Sequence, residues 1–294
     1  MTAISAGRAP VVHDAYEWCR RYTAEHTENF VVVSRWLPRE MRPHFYAVYA
    51  FCRQTDDLGD EAEGDRLQLL DGWEQAFRDC LNGAGDNPSL IALHATMEAF
   101  SISEDLCLRL IEANRRDQGH VRFETFDDVL DYCEQSATPV GRMLLPVLGC
   151  TAEAGAQLSD ATCIGLQLAN FWQDIGRDLE QDRIYVPLED LRLFGCSEAL
   201  LRDREFDESF RRLMQFEVER ARGFFRRGRA LERMLSGRAR SDLWLFRRGG
   251  EAVLDAIERC GFDVLSQRPV IPRSRRLRFL IQAGAQALRR KEAA

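Results

Sequence analysis

Two segments of the chain place carboxylates four residues apart, the spacing that puts side chains on one face of a helix. Within residues 51–61, Asp56 and Asp60 have this spacing, and Arg53 lies about one turn earlier. Like charges at this spacing destabilise a helix by about 0.2–0.5 kcal/mol per pair, so the cluster needs water or a cation around it. The segment is therefore either a solvated acidic helix end or part of a cation site.

The second segment, residues 167–178, sets Asn170, Asp174 and Asp178 in one stripe at four-residue spacing, and Gln167 extends the stripe towards the N-terminus. Apolar residues flank the stripe, so much of this helix should be buried, and a buried carboxylate without a partner is very costly. The pattern favours a binding site over an exposed polar face. The flanking apolar residues are Ile164, Leu166, Leu168, Phe171, Trp172 and Ile175.

Two helices that offer oxygen ligands at the same spacing can hold a hard cation between them. Carboxylates, waters and substrate phosphates hold Mg²⁺ more often than a complete cage of protein ligands does. The sequence therefore predicts Mg²⁺ as the cofactor. The ligand that this arrangement implies is a diphosphate, bridged between the two helices by the metal.

Helical periodicity dominates the rest of the chain, as in residues 73–81, where apolar side chains recur three and four residues apart. Strand signals are nearly absent, and no long linker rich in Pro, Gly or Ser divides the chain. The pattern predicts an all-α fold in which residues 1–294 form a single helical domain. We expect helices over residues 12–27, 40–62, 65–82, 88–100, 103–118, 126–150, 158–181, 197–203, 207–235, 240–260 and 273–290.

Capping signals mark two of the expected helix starts. Ser101 and Glu104 have the spacing of a capping box, and Thr125 directly precedes an acidic first turn. Within the helix expected over residues 126–150, Pro139 and Gly141 can introduce a kink.

Composition and charge narrow the functional classes. The chain has 294 residues and a formal charge of -7, whereas a general nucleic-acid binder would be basic, so we expect no nucleic-acid partner. The nine cysteines are spread along the chain without a C-x-x-C pair, which indicates reduced thiols and a cytoplasmic location. No apolar run approaches the roughly 20 residues that span a bilayer. Nothing in the sequence sets the oligomeric state.

Residues 273–291 form a basic stretch with an amphipathic pattern, and seven of these residues are arginine or lysine with no acid among them. Such a helix can lie on an anionic membrane surface, which would make the protein peripheral to the inner membrane. The alternative is a terminal helix that docks on the domain.

Three blocks of the chain resemble motifs of the squalene/phytoene synthase family, the head-to-head isoprenoid diphosphate synthases. They are residues 46–61, residues 132–141, and residues 165–178 together with the following 183–187. The resemblance covers roughly residues 14–265. It implies an all-α isoprenoid-synthase fold, with a central apolar cavity capped by two aspartate-rich helices, and an isoprenoid diphosphate as substrate.

The resemblance also implies roles for individual residues. The metal ligands would be Asp56, Asp60, Asn170, Asp174 and Asp178. The catalytic residues would be these four aspartates with Tyr132 and Tyr185, and the residues that bind the substrate would be Arg53, Gln167, Asn170, Arg183, Phe30 and Tyr49. Tyr132 and the segment 136–141 would lie beside the cavity.

Aromatic side chains are expected in the cavity wall, because cation–π contacts can shelter a carbocation. The same helical spacing is also typical of an ordinary hydrophobic core, and both interpretations stay open. The candidates are Phe30, Tyr49, Phe51, Phe171 and Trp172.

Within the family, residues 28–30, 42–46 and 170–174 look most similar to bacterial hydroxysqualene synthases of hopanoid pathways. This likeness predicts Mg²⁺-dependent ionisation of presqualene diphosphate, rearrangement of the carbocation, and capture by water. No G-x-G-x-x-G motif follows a strand, and we expect no nicotinamide. The alternatives are a presqualene diphosphate, squalene or phytoene synthase that condenses two prenyl diphosphates head-to-head, or a non-catalytic assembly factor of the same fold.

Overall fold

A computed structural model describes residues 11–26, 37–235 and 237–272, with the single residues 279 and 282. Within these ranges the regular elements are α-helices and one 3₁₀ turn. An isolated β-bridge pairs Val121 with Arg183. The all-α prediction is confirmed. No helix of this described part is long and apolar enough to cross a membrane.

The helices follow one another with short connections. In chain order they are α1 (Val12–Glu25), α2 (Arg42–Asp60), α3 (Arg66–Leu81), α4 (Pro88–Phe100), α5 (Glu104–Arg116), α6 (Phe126–Ser136), α7 (Thr138–Val147), α8 (Glu153–Asp178), the 3₁₀ turn Leu179–Gln181, α9 (Leu188–Phe194), α10 (Glu198–Arg202), α11 (Glu208–Gly228), α12 (Leu231–Met234) and α13 (Gly237–Arg259).

The single helix expected over residues 126–150 is wrong, because α6 and α7 are separate. Ala137 stands between them with φ −126° and ψ −49°, outside the helical region. Pro139 lies in the first turn of α7, where a missing N–H costs no hydrogen bond. The proline therefore suits the first turn of a new helix that begins directly after the break.

Three other boundaries differ from expectation. The helix expected over 207–235 is divided into α11 and α12, and α8 begins five residues before position 158. Sequence periodicity missed α9, whose seven residues are too few to show a pattern. It begins directly after Pro187 and ends at Phe194, and the next residue, Gly195, has φ 73°.

Of the two capping signals, one is confirmed. The hydroxyl of Thr125 accepts from the backbone N–H of Asp128, whose carboxylate accepts from the backbone N–H of Thr125. The other is wrong: Ser101 ends α4 in a left-handed conformation at φ 53°, and Ser103 caps α5. The capping box needs an extended backbone at its first residue, which the left-handed Ser101 does not have.

Helix α8 runs through the middle of the fold and packs against α7, α11 and α13. Two main apolar clusters form the core, one around α8 and α11 with Trp172 and Phe225, and one around α2, α3 and α5 with Phe51 and Phe77. Gly165 lets α8 and α11 approach closely, because a Cβ there would lie 3.0 Å from the Phe225 ring.

The expected basic helix over 273–291 falls outside the described residues, apart from Phe279 and Gln282. The ring of Phe279 is buried and meets Trp244 of α13 edge-on, with ring centroids 6.4 Å apart. The guanidinium of Arg248 lies 5.4 Å from the same ring. The contacts of Phe279 support the alternative in which this part of the chain docks on the domain.

Candidate active site

An apolar cavity of about 320 Å³ lies between α2, α7 and α8, with the far wall from α12 and α13. Each long helix contributes side chains at intervals of three and four residues, as a helix does when one face borders a cavity. The expected central apolar cavity is therefore present. One end of it is polar, and the side chains there are Arg53, Asp56, Gln167 and Asn170.

On α2, the two expected aspartates stand at this polar mouth. The amide of Asn114 on α5 donates to Asp56 Oδ1 at 3.2 Å, and Arg183 Nη1 donates to Asp60 Oδ1 at 2.7 Å. Desolvation by the surrounding protein and the charge of Asp60 together raise the pKa of Asp56 to about 7, although the side chain is exposed at the surface.

On α8, Asp174 and Asp178 lie one turn apart at the end of the helix. Burial raises the pKa of Asp178 to about 8, and the charges of Asp174 and Asp60 contribute in the same direction. Arg183, which follows α8 by five residues, binds Asp60 on α2, so the ends of the two acidic helices lie close together. Arg183 contributes the opposite effect and lowers the pKa of Asp178.

A residue that the sequence did not single out, Arg268, holds Asp174. Its Nε donates to Asp174 Oδ1 and its Nη2 donates to Asp174 Oδ2 at 2.9 Å, a two-pronged contact. The amide of Gln173 donates to the backbone oxygen of Pro269 at 2.6 Å and so fixes the segment that carries Arg268. Because 94 residues separate Arg268 from Asp174, no local spacing could have predicted this pair.

The donor set at the mouth fits Mg²⁺. It consists of carboxylate and amide oxygens, the ligands that this cation prefers. Within the part of the chain that the structure describes, no three His, Cys, Asp or Glu side chains are grouped closely enough to hold a metal by themselves. Burial and the charges of Asp174 and Asp60 raise the pKa of Asp178 to about 8, and a cation at the mouth would relieve this repulsion.

Tyr132 and Tyr185 are both buried, and neither is among the side chains that line the cavity. The hydroxyl of Tyr132 donates to Asp117 Oδ2 at 2.5 Å, and the ring of Tyr185 stacks on Phe171 at 4.0 Å. The structure thus places both tyrosines behind the acidic mouth. Tyr132 thus contacts Asp117 and not the cavity. Burial raises the pKa of Asp117 to about 6.

Asp117 is a further residue that sequence reasoning missed. It follows the last turn of α5 and belongs to no acidic repeat, so nothing in the pattern distinguishes it. Arg183 connects it to the mouth, because the Arg183 Nε donates to the backbone oxygen of Asp117 at 3.2 Å while Nη1 binds Asp60. Arg183, expected as a substrate-binding residue, is itself only 6% exposed.

The remaining expected residues are placed as follows. Arg53 lines the mouth, and its Nη2 lies 2.6 Å from carboxylate oxygens of both Asp57 and Glu61. Tyr49 lines the cavity, whereas Phe30 lies outside the described residues. The other three aromatic candidates are buried in the hydrophobic core and do not line the cavity: Phe51, Phe171 and Trp172.

An all-α chain whose apolar cavity opens beneath two facing aspartate-bearing helices has the architecture of an isoprenoid diphosphate synthase. The family model for squalene/phytoene synthase matches residues 23–275, and the chain belongs to this family. The match reaches about ten residues further towards the C-terminus than the sequence motifs indicated, and it includes Arg268. The chain is accordingly an enzyme of isoprenoid diphosphate chemistry.

Relatives of known activity fall into more than one branch of the family. Phytoene synthase of Arthrospira platensis is 34% identical over 88% of this chain and 89% of its own length. The 15-cis-phytoene synthase of Synechocystis sp. is 32% identical, with 94% and 86% covered. The crystal structure of squalene synthase HpnC from Alicyclobacillus acidocaldarius is 48% identical, with a TM-score of 0.80, and covers 85% of this chain and 95% of that one.

A dehydrosqualene synthase crystallised with a ligand shares the fold. Its TM-score is 0.85 at 22% identity, with 94% of this chain and 97% of that chain covered. At this level of identity the likeness concerns the fold alone.

Proposed function

We propose that this enzyme ionises presqualene diphosphate and captures the rearranged carbocation with water, which yields hydroxysqualene and diphosphate. The observation that carries the proposal is the pair of acidic helices, connected by the ion pair of Arg183 with Asp60, beside a polar end of the apolar cavity. The 48% identity to HpnC, against 34% to a phytoene synthase, supports this branch of the family.

The difficult step is loss of diphosphate, because the carbon–oxygen bond breaks and its electron pair leaves with the phosphate oxygen. Mg²⁺ held by Asp56, Asp60, Asn170, Asp174 and Asp178 would supply Lewis-acid stabilisation of that charge. The chain itself supplies two arginines beside the mouth, Arg53 and Arg183, whose positive charge persists at any physiological pH.

Inside the cavity, apolar side chains shield the cation from bulk water while it rearranges. Tyr49 and Phe246 contribute aromatic surface to this wall. The hydroxyl of Ser136 also faces this region, is buried, and has no hydrogen-bond partner within the described part of the chain. Ser136 is therefore a group that can hold the water molecule that attacks the cation. The departing proton of this water passes to the released diphosphate.

The decisive experiment supplies purified enzyme with Mg²⁺ and presqualene diphosphate in ¹⁸O-labelled water, without nicotinamide. We expect labelled hydroxysqualene, identified by mass spectrometry. The Ser136→Ala variant should shift products towards the unsaturated hydrocarbon that forms when the cation loses a proton instead. Absence of hydroxysqualene from the wild-type enzyme would refute the proposal.

The second candidate is head-to-head condensation of two prenyl diphosphates to presqualene diphosphate, squalene or phytoene. The curated phytoene synthases, at 32% and 34% identity over most of the chain, favour it. Turnover of farnesyl or geranylgeranyl diphosphate, with presqualene diphosphate left unconverted, would establish this reaction instead. A non-catalytic role would be supported if the purified protein showed neither activity.

We also propose a cytoplasmic enzyme that works next to the inner membrane. All nine cysteines are free thiols in the structure, which fits a reducing compartment. The lipid character of the proposed substrate and product supports a membrane contact through residues 273–291. Co-sedimentation with anionic liposomes, compared between the full chain and a chain ending at residue 272, tests this contact.

A further inference from the structure

A tight turn links the end of α8 to Arg183, one of the two arginines that the proposed function places beside the diphosphate. Helix α8 ends at Asp178, the 3₁₀ turn follows, and Asp182 then adopts the left-handed conformation at φ 53° and ψ 34°. Residues other than glycine rarely adopt this conformation, and it persists only where surrounding contacts hold it. Residues 179–183 are called the Asp182 turn below.

One guanidinium holds Asp182 in this conformation. Arg122 Nη1 donates to the backbone oxygen of Asp182 at 2.6 Å, and Arg122 Nη2 donates to Asp182 Oδ1 at 2.7 Å. Nη1 also donates to the backbone oxygen of Val121 at 2.7 Å, and Nε donates to Glu198 Oε2 at 3.0 Å. His120 Nδ1 lies 3.0 Å from the other carboxylate oxygen of Asp182. The Arg122 side chain is only 9% exposed, and each of its three nitrogens is bonded, so it is itself held rigidly.

The segment that carries Arg122 also fixes the backbone on the far side of the turn. The backbone oxygen of Val121 accepts from the N–H of Ile184 at 3.1 Å. On the near side, the N–H of Arg183 donates to the backbone oxygen of Asp178 at 2.8 Å. Hydrogen bonds on both sides of the turn therefore set the position from which the Arg183 side chain starts.

The Arg183 side chain has little freedom to correct a displaced backbone. Its Nε donates to the backbone oxygen of Asp117 at 3.2 Å while its Nη1 donates to Asp60 Oδ1 at 2.7 Å. The residue is only 6% exposed, so the surrounding protein confines the guanidinium. A shift of the turn would therefore be passed on to the charge beside the mouth.

We propose that Arg122 is a positioning residue, which holds the Asp182 turn so that the guanidinium of Arg183 meets the diphosphate. Arg122 is not among the side chains that line the cavity, so it acts on the ligand through Arg183. A misplacement of about 1 Å in a binding group can cost about 10²-fold in rate, and residues behind a site prevent it. This inference rests on the proposed function for the ligand, a diphosphate with Mg²⁺.

The first test measures binding of Mg²⁺ with inorganic diphosphate by calorimetry, at a temperature where circular dichroism shows each variant to be folded. Arg122→Ala should weaken binding about tenfold or more. Arg122→Lys should weaken it several-fold, because a single ammonium group cannot reproduce the fork of a guanidinium. Asp182→Asn should stay within about twofold of the wild type, since asparagine tolerates the left-handed conformation and keeps an oxygen that accepts from Arg122.

Arg202 offers a matched control in the same group of charges. Its Nη2 lies 2.9 Å from Glu198 Oε2 and 3.5 Å from Asp182 Oδ1, but its side chain is 52% exposed. The backbone oxygen of Asp182 is held by Arg122 and stays held when Arg202 is shortened. Arg202→Ala should therefore leave the affinity for diphosphate within about twofold of the wild type.

A double-mutant cycle separates positioning from general destabilisation. In an Arg183→Ala background, Arg122→Ala should have little further effect on the affinity for diphosphate, because the group that it positions is gone. A purely structural role would weaken binding by the same factor in both backgrounds.

Hydrogen exchange tests the turn without any ligand. The amides of Arg183 and Ile184 should exchange several-fold faster in Arg122→Ala, because their acceptors belong to the contacts that Arg122 maintains. In Arg202→Ala the exchange of both amides should match that of the wild type.

Three results would each overturn the inference: an unchanged affinity in Arg122→Ala, an equal loss of affinity in the Arg183→Ala background, or unchanged exchange of the two amides. Failure of the proposed function looks different. In that case the variants change the affinity and the exchange as expected, but the wild-type enzyme releases no hydroxysqualene from presqualene diphosphate.

Discussion

Individual carboxylates at the mouth lie in an electrostatically unfavourable arrangement that a bound cation would relieve. Burial and mutual repulsion raise the pKa of Asp56 to about 7 and of Asp178 to about 8. Arg183 and Arg268 neutralise Asp60 and Asp174, respectively, through direct contacts. A divalent cation at the mouth would favour the ionised forms of Asp56 and Asp178 and so lower these two pKa values.

Replacement of Asp56 or Asp174 by Asn should abolish most of the turnover while the fold persists. Each change keeps the shape of the side chain but removes a charge that would hold the metal, and we expect rates to fall by about 10²–10³-fold or more. Steady-state kinetics and circular dichroism check this expectation. Asp105→Asn, at an exposed ion pair with Arg109, is the control. Near-normal rates in both site variants would contradict the metal assignment.

The contact between Tyr132 and Asp117 should produce a pH-dependent contribution to stability. Because the folded state raises the pKa of Asp117 to about 6, above the usual value near 3.9 of an unfolded chain, it binds the proton more tightly, and stability falls as pH rises between these values. The hydrogen bond from Tyr132 lowers the pKa of Asp117 and so limits this loss.

Tyr132→Phe should therefore lower the free energy of unfolding by about 1–3 kcal/mol, with a larger loss at pH 8 than at pH 5. Urea denaturation at the two pH values measures the difference. In an Asp117→Asn background the pH dependence of the loss should disappear. An equal loss at both pH values in the native background would exclude the linkage.

Among the elements, long helices were predictable and short or interrupted ones were not. Both acidic helices were expected from residue spacing, and the structure contains them as α2 and α8. Helices α9 and α12 have seven and four residues, so periodicity could not reveal them. The break at Ala137 also lacked a sequence signal at its own position, because the proline that starts α7 lies two residues later.

Packing between α8 and α11 depends on the absence of a side chain at Gly165. Gly165→Ala should lower the free energy of unfolding by about 1–3 kcal/mol, because the added Cβ would press on the Phe225 ring. Gly72→Ala on α3 is the matched control: nothing lies within 4 Å of its Cβ, and the better helix propensity should stabilise by about 0.5–1 kcal/mol. Thermal and urea denaturation compare the two. A neutral Gly165 variant would show that the helices can move apart.

At the scale of the whole molecule, the sequence predicted the fold class, the cavity and the aspartates, but not the partners that hold them. Asn114 and Asp117 reach the mouth from the end of α5, and Arg268 reaches it from the segment after α13. Such contacts arise from the tertiary arrangement of helices, which residue spacing does not encode. Helix α12, which brings Leu231 to the cavity wall, likewise has too few residues to be recognised from the sequence.

Ligand binding at the mouth should stabilise the entire domain. Mg²⁺ with inorganic diphosphate at about 100 times its dissociation constant should add about 2.7 kcal/mol, since the ligand binds only the folded protein. Differential scanning calorimetry with and without the two ligands measures this gain. EDTA should reverse the gain, and Asp56→Asn should prevent it. An unchanged melting temperature at saturating ligand would argue against a metal-dependent diphosphate site.

The contact between Arg268 and Asp174 also has a consequence for synthesis on the ribosome. Asp174 is translated 94 residues before its arginine partner. At about 5–20 residues per second the delay is about 5–20 s, during which the nascent α8 lacks this counter-charge. The carboxylate of Asp174 therefore gains this counter-charge only after residue 268 has been translated.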